Sequence, residues 1–143
     1  VLGIDASVRF LGAVDDDALL AAYGRAAVFV MPGTAELQSI ATVEAMASGL
    51  PVVAADAMAL PHLVRHGVNG RLYAPGDVHA LTGDLARLLA DPLLRARLGR
   101  ASRGIAEAHS LTTTVETFQH HYETLVASRA SARLPQHSLA MAS

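Results

Sequence analysis

The sequence contains neither cysteine nor lysine, and each absence removes chemistry. Without cysteine there is no disulfide, no thiolate nucleophile and no cysteine-based zinc site. Without lysine, all eleven basic residues are arginine; with the abundant alanine, this reads as the mark of a GC-rich genome rather than of phosphate binding. No apolar run approaches the roughly 20 residues of a membrane-spanning helix. No charged-then-apolar leader opens the chain, so a cytoplasmic location is the expectation. Neither G-x-G-x-x-G nor G-x-x-x-x-G-K-[ST] occurs, which withdraws support from a dinucleotide-dependent redox enzyme or a P-loop ATPase. The net charge of −2 and pI near 6.4 give no general attraction to nucleic acid or anionic lipid. What is present is 143 residues, 52% of them hydrophobic, enough to bury one core but short for a two-domain enzyme.

The stretch Met31–Ala54, MPGTAELQSIATVEAMASGLPVVA, organises the rest. An apolar run, Val28–Met31, stops at Pro32-Gly33; a polar loop follows; Ile40–Ser48 has helical spacing and ends at Gly49; Leu50–Ala55 is a second apolar run closing on Asp56. This predicts strand, loop, helix, strand. A helix that begins at a strand end offers unpaired backbone N–H groups and the positive end of its dipole to phosphate. Two carboxylates bracket that place. Glu36 lies in the loop, and Glu44 lies inside the helix, where the tilt of Cβ toward the helix N-terminus lets it reach back to the same mouth. Carboxylates here would accept hydrogen bonds from hydroxyls on either side of a bound diphosphate, the ribose on one side and a hexose on the other. On spacing alone, the simpler account is a loop acid favoured by the dipole and one polar position on an amphipathic helix.

Along the rest of the chain, Val8–Gly12 reads as a strand, and Asp15-Asp16-Asp17 as the cap and dipole partners of a short helix, Ala18–Tyr23, rather than as a metal-binding D-x-D triplet. His62 and His66, four apart, place two imidazoles on one helix face with no third ligand in sight. His120-His121 belongs on a solvated helix face. Gly67–Gly70 is predicted as a tight turn of Asn-Gly type, followed by the strand Arg71–Tyr73 and the helix Val78–Ala90. Asp91-Pro92 opens another helix with Leu93, Leu94 and Leu98 facing inward. A last helix runs from Thr112 to about Ala127 with an apolar stripe at Val115, Phe118, Tyr122 and Leu125, part of it expected to be exposed. Strands alternating with helices argue for an α/β fold: a Rossmann-like, doubly wound parallel sheet with strands centred near Phe10, Phe29, Val53 and Leu72. The predicted domain spans 1–127, and 128–143 is expected to be a flexible tail.

Glu36, seven residues and Glu44, continued by Ala45-Met46-Ala47-Ser48-Gly49-Leu50-Pro51-Val52-Val53, resemble the E-x7-E region of retaining GT-B glycosyltransferases of family four. A second segment, from Gly67 through Asn69-Gly70 to Pro75-Gly76-Asp77, is similar as well, and the resemblance covers roughly Val8–Ala127. It implies part of the C-terminal, donor-binding half of a GT-B enzyme. In that family an acceptor domain and a loop with basic phosphate ligands come first, so the chain reads as truncated, and no transferase turnover is expected of residues 1–143 alone. By position, Glu36 matches the acid that contacts the donor sugar and is the catalytic candidate; Glu44 matches the acid that contacts the ribose. The N–H groups of Ser39, Ile40 and Ala41 match the diphosphate cradle, and Gly12, Ala13 and Val14 the loop where the base packs.

Two departures stand out. Leu37-Gln38-Ser39 replaces the frequent Gly-Phe-Gly, leaving Ser39 to cap the helix or bind phosphate with its side chain; and Met58-Ala59 with Pro61-His62 replaces two glycines and Pro-Glu. The implied partners are a nucleotide diphosphate sugar and the missing N-terminal acceptor domain, with a route to peripheral membrane contact through that domain; nucleic acid is not among them. No cofactor and no metal are implied. Other readings stay open at this point: a GT-B relative with epimerase chemistry, a phosphorylase, which would need a lysine for pyridoxal phosphate, or a non-enzymatic Rossmann-like binding module.

Overall fold

The computed structural model describes residues 3–132. The chain divides into two units, one up to Ala106 and one from Glu107 onward. In the first, a 3-10 turn at Asp5–Ser7 precedes α1 (Asp16–Arg25), β1 (Phe29–Met31), α2 (Ile40–Ala47), β2 (Val52–Ala55), α3 (Leu60–Leu63), β3 (Gly70–Tyr73), α4 (Val78–Ala90) and all but the last residue of α5 (Pro92–Glu107). The strands form one parallel sheet in the order β1-β2-β3, with Phe29 opposite Val52 and Val52 opposite Gly70. All four residues of β2 are buried. Because successive side chains of a strand point to opposite faces, this requires cover on both sides of the sheet. α2 packs on β1 and β2, and α4 on β2 and β3.

Met46, Val52, Val53, Leu60, Val64, Leu88 and Leu98 are fully buried and form the centre of the core. Each such side chain contributes about 1.5–3 kcal/mol through the water it leaves. The helix starts follow their sequence signals. Asp15 Oδ1 accepts from the Ala18 N–H at 2.8 Å, Asp77 Oδ1 from Ala80 at 2.9 Å, and Asp91 Oδ1 from Leu94 at 2.9 Å. Each satisfies one of the first-turn donors that a helix leaves open.

Three local expectations are corrected. The strand near Phe10 does not form among the described residues. Val8 is extended, but the segment joins no ladder, and Phe10 is 93% exposed. An apolar alternation becomes a strand only where a neighbouring backbone pairs with it and one face is covered. Leu93 is exposed rather than facing inward, whereas Leu98 is fully buried.

The third correction concerns Asn69-Gly70, which is not the corner of the turn. The left-handed position is Gly67, at φ +79°, and Asn69 is completely buried. Its Oδ1 accepts from the Arg65 N–H at 2.7 Å, its Nδ2 donates to the Leu63 carbonyl at 3.1 Å, and its own carbonyl accepts from Ser102 Oγ at 2.9 Å. Gly70 is needed for closeness: a Cβ there would overlap the carbonyl oxygen of Val52 on β2.

In the second unit, Ser110 Oγ accepts from the Thr113 N–H at 3.1 Å and caps α6 (Leu111–Ala132). Val115, Phe118, Tyr122 and Leu125 on this helix are all exposed, where only part of their stripe was expected to be. α6 continues past Ala127, and the part of the expected tail beyond Ala132 lies outside the described residues.

Candidate functional site

At the carboxyl end of β1 the chain leaves the sheet through residues 32–39 and enters α2. Ser39 makes that entry in the left-handed region, φ 50° and ψ 61°, a conformation in which a Cβ crowds the backbone. Its carbonyl accepts from the N–H groups of Thr42, at 2.9 Å, and Val43, at 3.2 Å. The N–H groups of Ile40 and Ala41 find no acceptor among the described residues and head the helix with its positive dipole end. The Ser39 side chain does not cap α2. Its hydroxyl is buried and hydrogen bonds the Thr42 hydroxyl at 2.7 Å. The left-handed Ser39 turns its hydroxyl inward, while the N–H groups of Ile40 and Ala41 stay unpaired among the described residues.

Glu36 is half-buried in that loop. A methyl group added at Gly33 would stand 3.3 Å from Glu36 Oε1 and 3.6 Å from Met31 Sδ, so the carboxylate lies against the start of the loop. The Glu36 carbonyl accepts from the Ala59 N–H at 3.1 Å, tying this loop to the one that follows β2. In that second loop Met58 also adopts a positive φ, 50°, a conformation that favours glycine. Glu44 projects from α2 and is exposed.

The sequence did not reveal the partner of Glu44. Tyr23, in the last turn of α1, donates its hydroxyl to Glu44 Oε2 at 3.2 Å and lies 3.4 Å from the Ala41 carbonyl. Burial, and after it the charge and hydrogen bond of Glu44, push the Tyr23 phenol above its ordinary pKa. The available signal was chemical. A tyrosine closing an alanine- and leucine-rich helix is drawn into the core by its ring, and its hydroxyl then needs a partner nearby.

Gly12, Ala13 and Val14 lie in the exposed segment before α1, and no hydrogen bond joins them to Glu36 or to α2. His66 is engaged in the fold, its Nδ1 accepting from the Leu72 N–H at 3.1 Å. Among the described residues no group of three or more metal-ligating side chains is gathered. An open cleft of about 440 Å³ between β3 and α4, lined by His66, Arg71, His79, Asp84 and Arg87, shares no residue with the Glu36–Glu44 region.

Residues 1–104 match the family Glycosyl transferases group 1. The chain belongs to that family. Among curated relatives, it is 38% identical over 117 residues to the sulfoquinovosyl transferase of Arabidopsis thaliana, covering 78% of this chain and 23% of that protein. It is 35% identical over 133 residues to the phosphatidyl-myo-inositol mannosyltransferase of Mycobacterium leprae, covering 92% of this chain and 36% of that protein.

Solved GT-B glycosyltransferases share its fold. The sucrose-phosphate synthase of Thermosynechococcus elongatus superposes with a TM-score of 0.79 at 31% identity, over 87% of this chain and 32% of that one. HepE of Anabaena in complex with UDP superposes with a TM-score of 0.73 at 32% identity, over 87% and 34%; HepE has also been solved with UDP-glucose. The group 1 chain thus spans roughly a quarter to a third of these proteins. No helix among its described residues is long and apolar enough to cross a membrane.

Proposed function

We propose that this chain is the donor-binding half of a retaining glycosyltransferase of the family-four type. It takes a nucleotide diphosphate sugar and contributes to transfer of a hexose with the anomeric configuration kept. The observation that carries the reading is the head of α2. Unpaired N–H groups stand at the carboxyl end of a parallel strand, where ligands of open α/β sheets bind, with one carboxylate before the helix and one a turn inside it. HepE, solved with UDP and with UDP-glucose, gives the same ligand class for a structural neighbour.

In this reading Ser39, Ile40 and Ala41 cradle the diphosphate through their backbone. Glu44 accepts from the ribose hydroxyls, Glu36 from the hexose, and the Gly12–Val14 segment packs on the base. During transfer the bond between the anomeric carbon and the diphosphate oxygen breaks and its electron pair leaves with the diphosphate. The acceptor's hydroxyl oxygen bonds to the same carbon on the same face, and its proton departs with the leaving group. The helix head stabilises charge that grows on the diphosphate, and Glu36 orients the sugar. The acceptor site belongs to the remainder of the protein.

The test is titration of the whole gene product, with Glu44→Gln and Glu36→Gln compared, against UDP and UDP-glucose and against GDP and GDP-mannose. Losing a charge-assisted hydrogen bond costs about 1.5–3 kcal/mol, or roughly ten- to a hundredfold. Glu44→Gln should weaken the free nucleoside diphosphate and the sugar donor alike. Glu36→Gln should leave the free diphosphate nearly untouched and impair the donor. Slight and equal effects of both mutations on both ligands would mean that the two acids are surface residues and the assignment is wrong.

A further inference from the structure

We infer that Tyr23 is the positioning residue for Glu44, holding its carboxylate toward the head of α2 and thereby setting the preference of the site for a ribose. The inference rests on the reading of Glu44 given above. An exposed glutamate on a helix samples several rotamers, and ordering it on binding weakens the ligand. Here one rotamer is held in advance.

The Tyr23 ring is fixed before any ligand arrives. It is 7% exposed, packs with Ala45 and Leu50, and meets Phe29 edge to face, with ring centroids 6.1 Å apart and planes at 61°. A ring so confined gives its hydroxyl one position. That hydroxyl carries a single proton and faces two acceptors, Glu44 Oε2 at 3.2 Å and the Ala41 carbonyl at 3.4 Å. The charged acceptor makes the stronger bond. Holding Oε2 leaves Oε1 for a ligand hydroxyl. The same hydroxyl spans the first turn of α2, between the residue whose N–H heads the helix and the residue that would bind the ribose. α1 therefore fixes where the Glu44 carboxylate stands relative to the diphosphate cradle.

A purely structural role predicts a different outcome from a positioning one. If the hydroxyl only satisfies itself, Tyr23→Phe shifts stability and weakens every ligand equally. If it positions Glu44, the effect appears only with ligands that have ribose hydroxyls. The experiment measures the affinity of the whole gene product for UDP or GDP, whichever the wild type binds, and for the matching 2′,3′-dideoxynucleoside diphosphate.

Tyr23→Phe keeps the ring and its contact with Phe29, so the fold is retained; thermal denaturation verifies this. The expected result is a loss of about five- to tenfold for the ribonucleotide, with the dideoxy affinity unchanged. Glu44→Gln should lose the ribose preference outright, and the double mutant should be no weaker than Glu44→Gln alone. If Glu44→Gln loses the preference while Tyr23→Phe keeps it, the positioning role is wrong and the ribose assignment stands. If Glu44→Gln keeps the preference, the ribose assignment fails and this inference fails with it.

Discussion

Ser39 is the position where the backbone of the site can be tested apart from its ligands. It sits at φ 50°, with its hydroxyl bonded to that of Thr42 and both residues buried. Ser39→Ala removes the hydroxyl bond, worth about 1 kcal/mol net and more where the Thr42 hydroxyl is left without a partner. It keeps the left-handed strain of about 1–2 kcal/mol. Ser39→Gly loses the same bond but relieves the strain, against about 0.5–1 kcal/mol of added backbone entropy in the unfolded chain. Glycine should therefore be the more stable of the two by about 0.5–1 kcal/mol, the reverse of their order in ordinary helical or extended positions. In urea unfolding of the purified chain, this is a midpoint higher by a few tenths molar for Ser39→Gly, at slopes of about 1–3 kcal/mol per molar. An alanine variant as stable as the glycine variant, or more so, would refute the left-handed entry to α2.

Other outcomes follow from the same geometry. Gly70→Ala should cost about 3 kcal/mol or more, seen as a loss of soluble folded protein, because its methyl meets the Val52 backbone and, at 2.8 Å, Val64 Cγ1. Asn69→Ala should cost about 2–4 kcal/mol in chemical denaturation, because it strands the Arg65 N–H and Leu63 carbonyl that the buried side chain serves. The Tyr23 phenol is raised in the folded state, so the folded chain holds that proton more tightly than the unfolded chain does. Its contribution is whole below about pH 10 and is lost as pH rises from there through the folded-state value. Stability of the wild type should fall over that range more steeply than that of Tyr23→Phe. With no lysine or cysteine present, tyrosine is the side-chain type that titrates there.

How much could be read from the sequence varied with how local each cause is. Val52–Ala55 is unbroken apolar residues between Pro51 and Asp56, and it is the buried central strand. Its chemistry leaves no other place for it. The cap at Asp15 and the helix start at Asp91 were legible for the same reason, since donor and acceptor lie three residues apart. Phe10 misled because its pattern states what a strand would bury but not whether a neighbour exists to pair with it. Asn69-Gly70 misled because the pair commonly bends a chain, whereas here long-range packing against Val52 and Ser102 uses both residues. At the candidate site, the order of Glu36, the helix head and Glu44 was visible in one short stretch. The inward turn of the Ser39 hydroxyl depended on a φ that no side chain announces, and Tyr23 lies 21 residues from Glu44.

Gly99 of α5 leaves no room for a side chain: a Cβ there would overlap the carbonyl oxygen of Gly49, the residue at which α2 gives way to the next strand. Backbone thus rests on backbone at the far end of α2, while Tyr23 grips the near end at Ala41 and Glu44. A helix wedged at both ends behaves as an anvil. If the proposed donor binds here, we expect the pair of loops joined by the Ala59–Glu36 hydrogen bond to yield before the helix head does.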